Sequence, residues 1–201
     1  MSDSEGKACK PTCGKAMERR TLVRAAVALG ATWPFAEAGA VAQDDPATAG
    51  PRPGDKLVYA VGDKKGQVIK AADVAVGATQ LLAFPMEPEN KVVRDGNRLN
   101  QAIVLRLQPE AVSPDTQPNA ADGVVAYSSI CTHQGCDVSQ WKPDTNTLLC
   151  VCHGSEYDPA NRAKVVAGPA PRRLAMLPIK LVDGELVVAA PYTGKPGPRD
   201  L

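Results

Sequence analysis

An antiparallel all-β domain is the fold class that three observations predict. Short β-like runs alternate with turn signals from residue 56 onward. An Asp-Gly pair at 183–184 sits between two apolar runs, the strongest short hairpin signal a sequence offers. Helical apolar periodicity is missing after residue 40, while 18 Pro and 17 Gly supply frequent breaks. At 44% hydrophobic, the 201-residue chain has enough apolar material for one core plus appendages.

The elements follow in order. Residues 1–18 are polar and hold Cys9 and Cys13 as C-x3-C without a nearby histidine, which reads as a solvated leader rather than a metal site. Residues 18–43, "ERRTLVRAAVALGATWPFAEAGAVAQ", pair Arg19 with Arg20 ahead of a weakly apolar stretch, with a small-x-small site after which Ala42 would be the last residue removed. The segment resembles a twin-arginine export signal, although Glu18 precedes the pair. Only twelve uncharged residues separate Arg24 from Glu37 and Pro34 interrupts them, against about 20 for a spanning helix. Cleavage and signal-anchoring both stay open. Residues 43–54, "QDDPATAGPRPG", read as a flexible linker, and the folded domain is expected over 55–192 with a tail at 193–201.

Within the domain, strands are expected at 56–61, 80–86, 101–107 and 123–129, with the final hairpin at 177–190. "PEAVSPDTQPNAAD" (109–122) reads as a surface loop, and "VGDKKGQV" (61–68) as a turn rather than a nucleotide loop. The formal charge is +1 with both signs interspersed, so no basic face argues for nucleic acid.

The chemistry is concentrated in "CTHQGC" (131–136) and "CVCHGSEYD" (150–158), which hold four of six cysteines and both histidines. Cys131 with His133 and Cys150 with His153 can each offer two ligands from one tight loop, leaving one further cysteine per loop, Cys136 and Cys152. Structural zinc on two Cys and two His is one reading, but it leaves those two cysteines idle. Packing cysteines with incidental histidines is another, and it does not account for six such residues within 131–153. A 2Fe–2S cluster with two Cys on one iron and two His on the other accounts for all of them. With both histidines on iron, none is left for a nucleophilic triad.

The two blocks resemble the paired boxes of Rieske iron–sulfur proteins, and "GPAP" (168–171) resembles the proline loop that closes over the cluster in the quinol-oxidising kind. The resemblance is specific over about 123–190. It implies a Rieske-type β sandwich with a cluster-binding subdomain of two loops, about residues 129–172. It implies Cys131 and Cys150 on one iron, His133 and His153 on the other, and a Cys136–Cys152 disulfide joining the loops. Ser155 and Tyr157 match the positions whose hydroxyls bond cluster sulfurs in high-potential members. Replacing two thiolates by neutral imidazoles makes the site less negative, so Rieske potentials reach roughly −150 to +300 mV against about −400 mV for plant-type ferredoxins.

Such a site transfers electrons, and the chain is expected to turn over nothing alone. Two settings fit: the iron–sulfur subunit of a cytochrome bc-type quinol–cytochrome c oxidoreductase, with cytochrome b, a c-type cytochrome and quinol as partners, or the small relay subunit of a periplasmic molybdenum enzyme similar to arsenite oxidase. Both place it on the periplasmic side of the bacterial inner membrane. Gln134, where quinol-oxidising members often have Leu, and Glu156 make the expected tip more polar and favour the second; "HGSEYD" and "GPAP" favour the first. A dioxygenase ferredoxin is cytoplasmic and lacks the disulfide pair. Arg172 and Arg173 read as a solvated strand start or, less simply, a docking patch.

Overall fold

The computed structural model describes residues 45–199; the expected export segment, with Arg19, Arg20, Cys9 and Cys13, lies outside the described residues. Among the described residues no helix is long and apolar enough to cross a membrane. The described residues form ten strands: β1 Lys56–Tyr59, β2 Leu81–Met86, β3 Ala102–Arg106, β4 Val124–Ser128, β5 Gln140–Lys142, β6 Thr147–Cys150, β7 Ser155–Asp158, β8 Lys164–Ala167, β9 Ile179–Val182 and β10 Glu185–Val188. They form an antiparallel six-stranded sheet, ordered β4-β3-β2-β1-β10-β9, and an antiparallel four-stranded sheet, β5-β6-β7-β8.

Alternation along β3 and β4 explains the layering. Ile103, Leu105, Val125 and Tyr127 face the core shared with the small sheet, with Leu148 and Tyr157. Their neighbours Ala102, Val104, Val124 and Ala126 face a second core with Leu57, Ile69 and Leu186. A strand buried on both faces needs no polar residue within it, and "AIVL" and "VVAY" have none but the tyrosine hydroxyl. That hydroxyl donates to the Pro159 carbonyl at 2.7 Å. Tyr127→Phe leaves this buried acceptor unpaired and is expected to cost about 1–2 kcal/mol, read as a fall of a few degrees in thermal midpoint.

The free edge of β4 is covered by residues 175–177, which pair with it through Ser128 N–H to Ala175 O and Leu177 N–H to Ala126 O. The same segment runs directly into β9, so the two edges of the large sheet are tied to each other. The β9–β10 hairpin turns at Asp183 and Gly184, both left-handed at φ 52° and 78°, as a two-residue type I′ turn requires.

The expected two-loop cluster subdomain is present, its loops carried on a sheet of short strands. Other expectations change. Packing begins upstream of Asp55: the carbonyls of Pro46, Ala47 and Ala49, within the expected linker, accept bonds from Arg94, Gly96 N–H and Asn100. A proline-rich stretch has no ladder of its own, so its carbonyls take partners from residues 94–100. The tail from 193 is held too, since the Arg172 guanidinium donates to the carbonyls of Lys195 (2.8 Å) and Gly197. Arg172 is therefore a clasp for the tail rather than a solvated or docking residue. Beneath the N-terminal stretch lies a buried ion pair, with Arg94 Nε and Nη2 at 2.7 and 3.0 Å from the two Asp55 carboxylate oxygens.

Candidate metal centre

The two ligand-rich loops are built on one plan. The first leaves β4 and returns to β5, closed by an Ile130–Asp137 bridge and by Cys131 N–H to Cys136 O at 2.8 Å. The second joins β6 to β7 over residues 151–154. In each, a glycine N–H reaches back four residues to the cysteine that opens the loop: Gly135 to Cys131 O and Gly154 to Cys150 O, both 3.0 Å. Each loop thereby begins with a cysteine pointing inward and carries its histidine at the turn.

Burial divides the donors by type. Cys131 and Cys150 are each 1% exposed and unbonded to other cysteines, whereas His133 is half-buried and His153 exposed. The two imidazole rings meet edge to face, 4.7 Å between centroids. Cys136 and Cys152 form a disulfide joining the loops, with their Cα atoms 6.6 Å apart. Their sulfurs lie close to that of Cys150. Disulfide sulfurs carry no thiolate, so these three are not a ligand set.

The electrostatics favour a metal between the thiols and the rings. Burial first, and then the adjacent Cys131 thiol, push the Cys150 thiol up to about 11. Burial thus disfavours the Cys150 thiolate, and a cation beside it would compensate that charge. His133 Nδ1 is buried and has no hydrogen-bond partner, a costly state for a ring nitrogen that a metal would relieve. Two inward thiols and two outward imidazoles, one nitrogen orphaned, fit a metal group with unlike ends.

Hydroxyls line the inner end. Tyr157 Oη lies 3.1 Å from Cys131 Sγ and accepts from Thr132 N–H at 3.3 Å. Burial and the neighbouring thiol raise the Tyr157 pKa, so the hydroxyl keeps its proton and can donate it to sulfur. Ser155, fully buried, accepts from Ala170 N–H at 3.2 Å through an oxygen whose own proton remains to be donated. The 168–172 segment is pinned to both boxes, at Ala170 through Ser155 and at its end through Thr132 Oγ1, which donates to Arg172 O at 2.6 Å.

Glu156 is not at the tip as expected. Ser155 and Tyr157 face the core, so the residue between them points to the opposite side of β7, where Lys142 Nζ (2.7 Å) and Thr147 Oγ1 (3.0 Å) hold its carboxylate. Those contacts lower its pKa. Gln134 is exposed at the first turn, as read. Thr132, inside the first box, and Gly168, at the start of the 168–171 loop, join the residues that shape the site.

Fold and site together define a two-sheet β domain that presents a mixed cysteine–histidine metal centre between disulfide-linked loops. Residues 86–178 match the family model for the Rieske [2Fe-2S] domain. The chain belongs to the Rieske iron–sulfur family, whose cofactor is a 2Fe–2S cluster. It is similar to the cytochrome bc1 complex Rieske iron–sulfur subunit of Streptomyces lividans, 34% identical over 67% of this chain and 85% of that one. The corresponding subunit of Streptomyces coelicolor is 34% identical over 82% of this chain, which spans about half (48%) of that longer protein. A candidate respiratory nitrate reductase Rieske subunit of Haloferax mediterranei is 33% identical over 52% of this chain and 58% of its own length.

Proposed function

We propose that this chain is a high-potential electron carrier, the iron–sulfur subunit of a quinol-oxidising complex that accepts electrons from quinol and passes them to a c-type cytochrome. The observation that carries the reading is the polarity of the centre: thiols sealed inside, His153 exposed beside His133 at 4.7 Å. Cys131 and Cys150 would hold the inner iron, and His133 and His153 the outer one. When bound, the cluster supplies one-electron chemistry at a potential raised by its neutral imidazole ligands.

The residues around it have separable tasks. With one nitrogen on iron, exposed His153 would turn its other ring nitrogen to solvent, where it would hydrogen-bond a quinol hydroxyl and, after loss of its own N–H proton, could hold the quinol's. Tyr157, 3.1 Å from Cys131 Sγ, would donate to that sulfur, and Ser155 keeps a hydroxyl proton to offer; both would favour the more negative, reduced state. The disulfide keeps the loops at fixed separation while the charge changes. Similarity to the two Streptomyces subunits supports cytochrome b and a c-type cytochrome as partners. The paired Arg19 and Arg20 support twin-arginine export to the periplasmic side of the membrane.

A second reading is the relay subunit of a periplasmic molybdenum oxidoreductase, favoured by the exposed, polar Gln134 at the docking tip. Isolation of the native complex from membranes separates the two: a cytochrome b partner supports the first reading, a large molybdopterin subunit the second. For either, redox titration of the purified protein is expected to give a midpoint within about −150 to +300 mV. A value near that of a plant-type ferredoxin overturns both readings.

Tyr157→Phe gives a finer check. Losing one donor to Cys131 Sγ destabilises the reduced state by about 0.5–1.5 kcal/mol, a midpoint lower by about 20–60 mV for one electron. An unchanged midpoint would mean that the hydroxyl does not donate to the ligand sulfur.

A further inference from the structure

The first ligand loop is gripped from outside both sequence boxes. Arg98, on the 3₁₀ turn Arg98–Asn100, donates from Nη1 to the Gly135 carbonyl and from Nη2 to the Asp137 carboxylate, both at 2.8 Å. Gly135 is the turn residue two positions after His133, and Asp137 follows the disulfide cysteine Cys136. One planar guanidinium thus spans the outer tip of the loop and its returning limb, a geometry that a fork of fixed donors can satisfy and a point charge cannot.

The base of Arg98 is itself fixed. Asn97 caps the turn by accepting from Leu99 N–H at 3.0 Å. Buried Asn100 donates to Ala49 O (2.8 Å) and Arg94 O (3.0 Å), and Tyr192 Oη reaches the carbonyls of Asn100 and Gln101. Gln101 then holds the near end of the same ligand loop, accepting from Ser129 Oγ at 2.9 Å and from Ser129 N–H at 3.0 Å. The 97–101 segment therefore braces the loop at its root and at its tip.

Both partners of the outer contact are largely in water, with Arg98 and Asp137 side chains 55% and 60% exposed. An exposed ion pair contributes little to global stability. The effect is local instead. Nothing else described in the hydrogen-bonding of this loop contacts the Gly135 carbonyl from outside, and the turn it belongs to carries His133.

We propose that Arg98 is a positioning residue for the cluster: its fork on Gly135 and Asp137 fixes the turn that presents His133. The proposal rests on the reading of His133 as an iron ligand. Full-length holo-protein is compared as wild type, Arg98→Ala, Arg98→Lys and Asp137→Ala. The measurements are loss of the visible 2Fe–2S absorption in the presence of an iron chelator, midpoint potential at low and high salt, and thermal unfolding.

Arg98→Ala is expected to shorten cluster lifetime by about threefold to tenfold with little change in thermal midpoint, the scale of two exposed charge-assisted bonds. Arg98→Lys recovers part of the lifetime, since an ammonium keeps the charge and one of the two bonds. Asp137→Ala moves in the same direction as Arg98→Ala, by less. A pure charge effect gives a different pattern: unchanged lifetimes, with potentials shifted in opposite directions by the two alanine variants and the shifts lost in high salt. That pattern, or wild-type behaviour of Arg98→Ala, overturns the proposal alone. A wild-type protein without a 2Fe–2S spectrum overturns the reading of the site as well.

Discussion

Asp55→Ala is expected to lower the thermal midpoint by roughly 10 °C, the largest stability loss available from one side chain outside the apolar core, for a cost of about 3–5 kcal/mol. Asp55 and Arg94 are 3% and 2% exposed and share two bonds, and the carboxylate also accepts from Arg52 N–H at 2.8 Å. Removing the acid strands a guanidinium that cannot shed its proton and has only the Pro46 carbonyl left. Desolvation of both charges opposes the pair's mutual attraction, so an isolated deletion and a paired one should differ sharply. The double substitution Asp55→Leu with Arg94→Met should recover most of the loss in calorimetry. If the single variant melts within a degree of wild type, the pair is not desolvated in solution.

The consequence reaches the metal centre. Arg94 O accepts from Asn100, and Asn100 anchors the turn that carries Arg98. A loosened Arg94 therefore loosens the brace on the first ligand loop, and cluster loss should precede global unfolding in Asp55→Ala. Simultaneous loss of colour and of far-ultraviolet signal would show that the two are not linked in this way.

Much of the large sheet was legible because its strands are apolar runs of four to six residues bounded by turns. "QAIVLRL" and "GVVAYSS" became β3 and β4 within a residue at each end, and Asp183-Gly184 marked the last hairpin. The small sheet was not legible. Its strands "QWK", "TLLC", "SEYD" and "KVVA" are three or four residues long, and several of their positions are set by ligand chemistry rather than by alternation. Glu156 shows the cost: once 155–158 is a strand with Ser155 and Tyr157 inward, its outward direction follows, but without the strand it looked like part of the tip.

Long-range polar partners explain the remaining differences. Pro and Gly content made 43–54 look like free linker, and composition carries no trace of an arginine 48 residues away that donates to Pro46 O. Arg98 is likewise an unremarkable basic residue in sequence and becomes significant only when its two acceptors are placed. The candidate ligands stood out in the sequence, because chemistry confines cysteine and histidine to a short list of spacings while docking contacts accept many residue types.

Gly168→Ala is the second large effect, and it acts on the centre rather than on the fold. Gly168 has φ +80°, where an alanine costs roughly 1–2 kcal/mol on backbone grounds alone. The added Cβ would also press on the Gly154 carbonyl and lie 2.5 Å from Ser155 Cα and 2.7 Å from Gly154 C. Those are backbone atoms of the second ligand loop, held by the Gly154 N–H to Cys150 O bond and by the disulfide at Cys152, so they cannot retreat without displacing His153. The 168–171 segment must lift instead. Lifting breaks Ala170 N–H to Ser155 Oγ and admits water to the thiol end. We expect bleaching of the visible absorption to accelerate by at least about tenfold, which corresponds to only 1.4 kcal/mol of lost closure, with far-ultraviolet circular dichroism unchanged. Ala170→Pro separates the two contributions, because it deletes the bond to Ser155 without adding a group against Gly154; its effect should be the smaller. Wild-type bleaching of Gly168→Ala would mean that this turn does not close against the second loop when the cluster is bound.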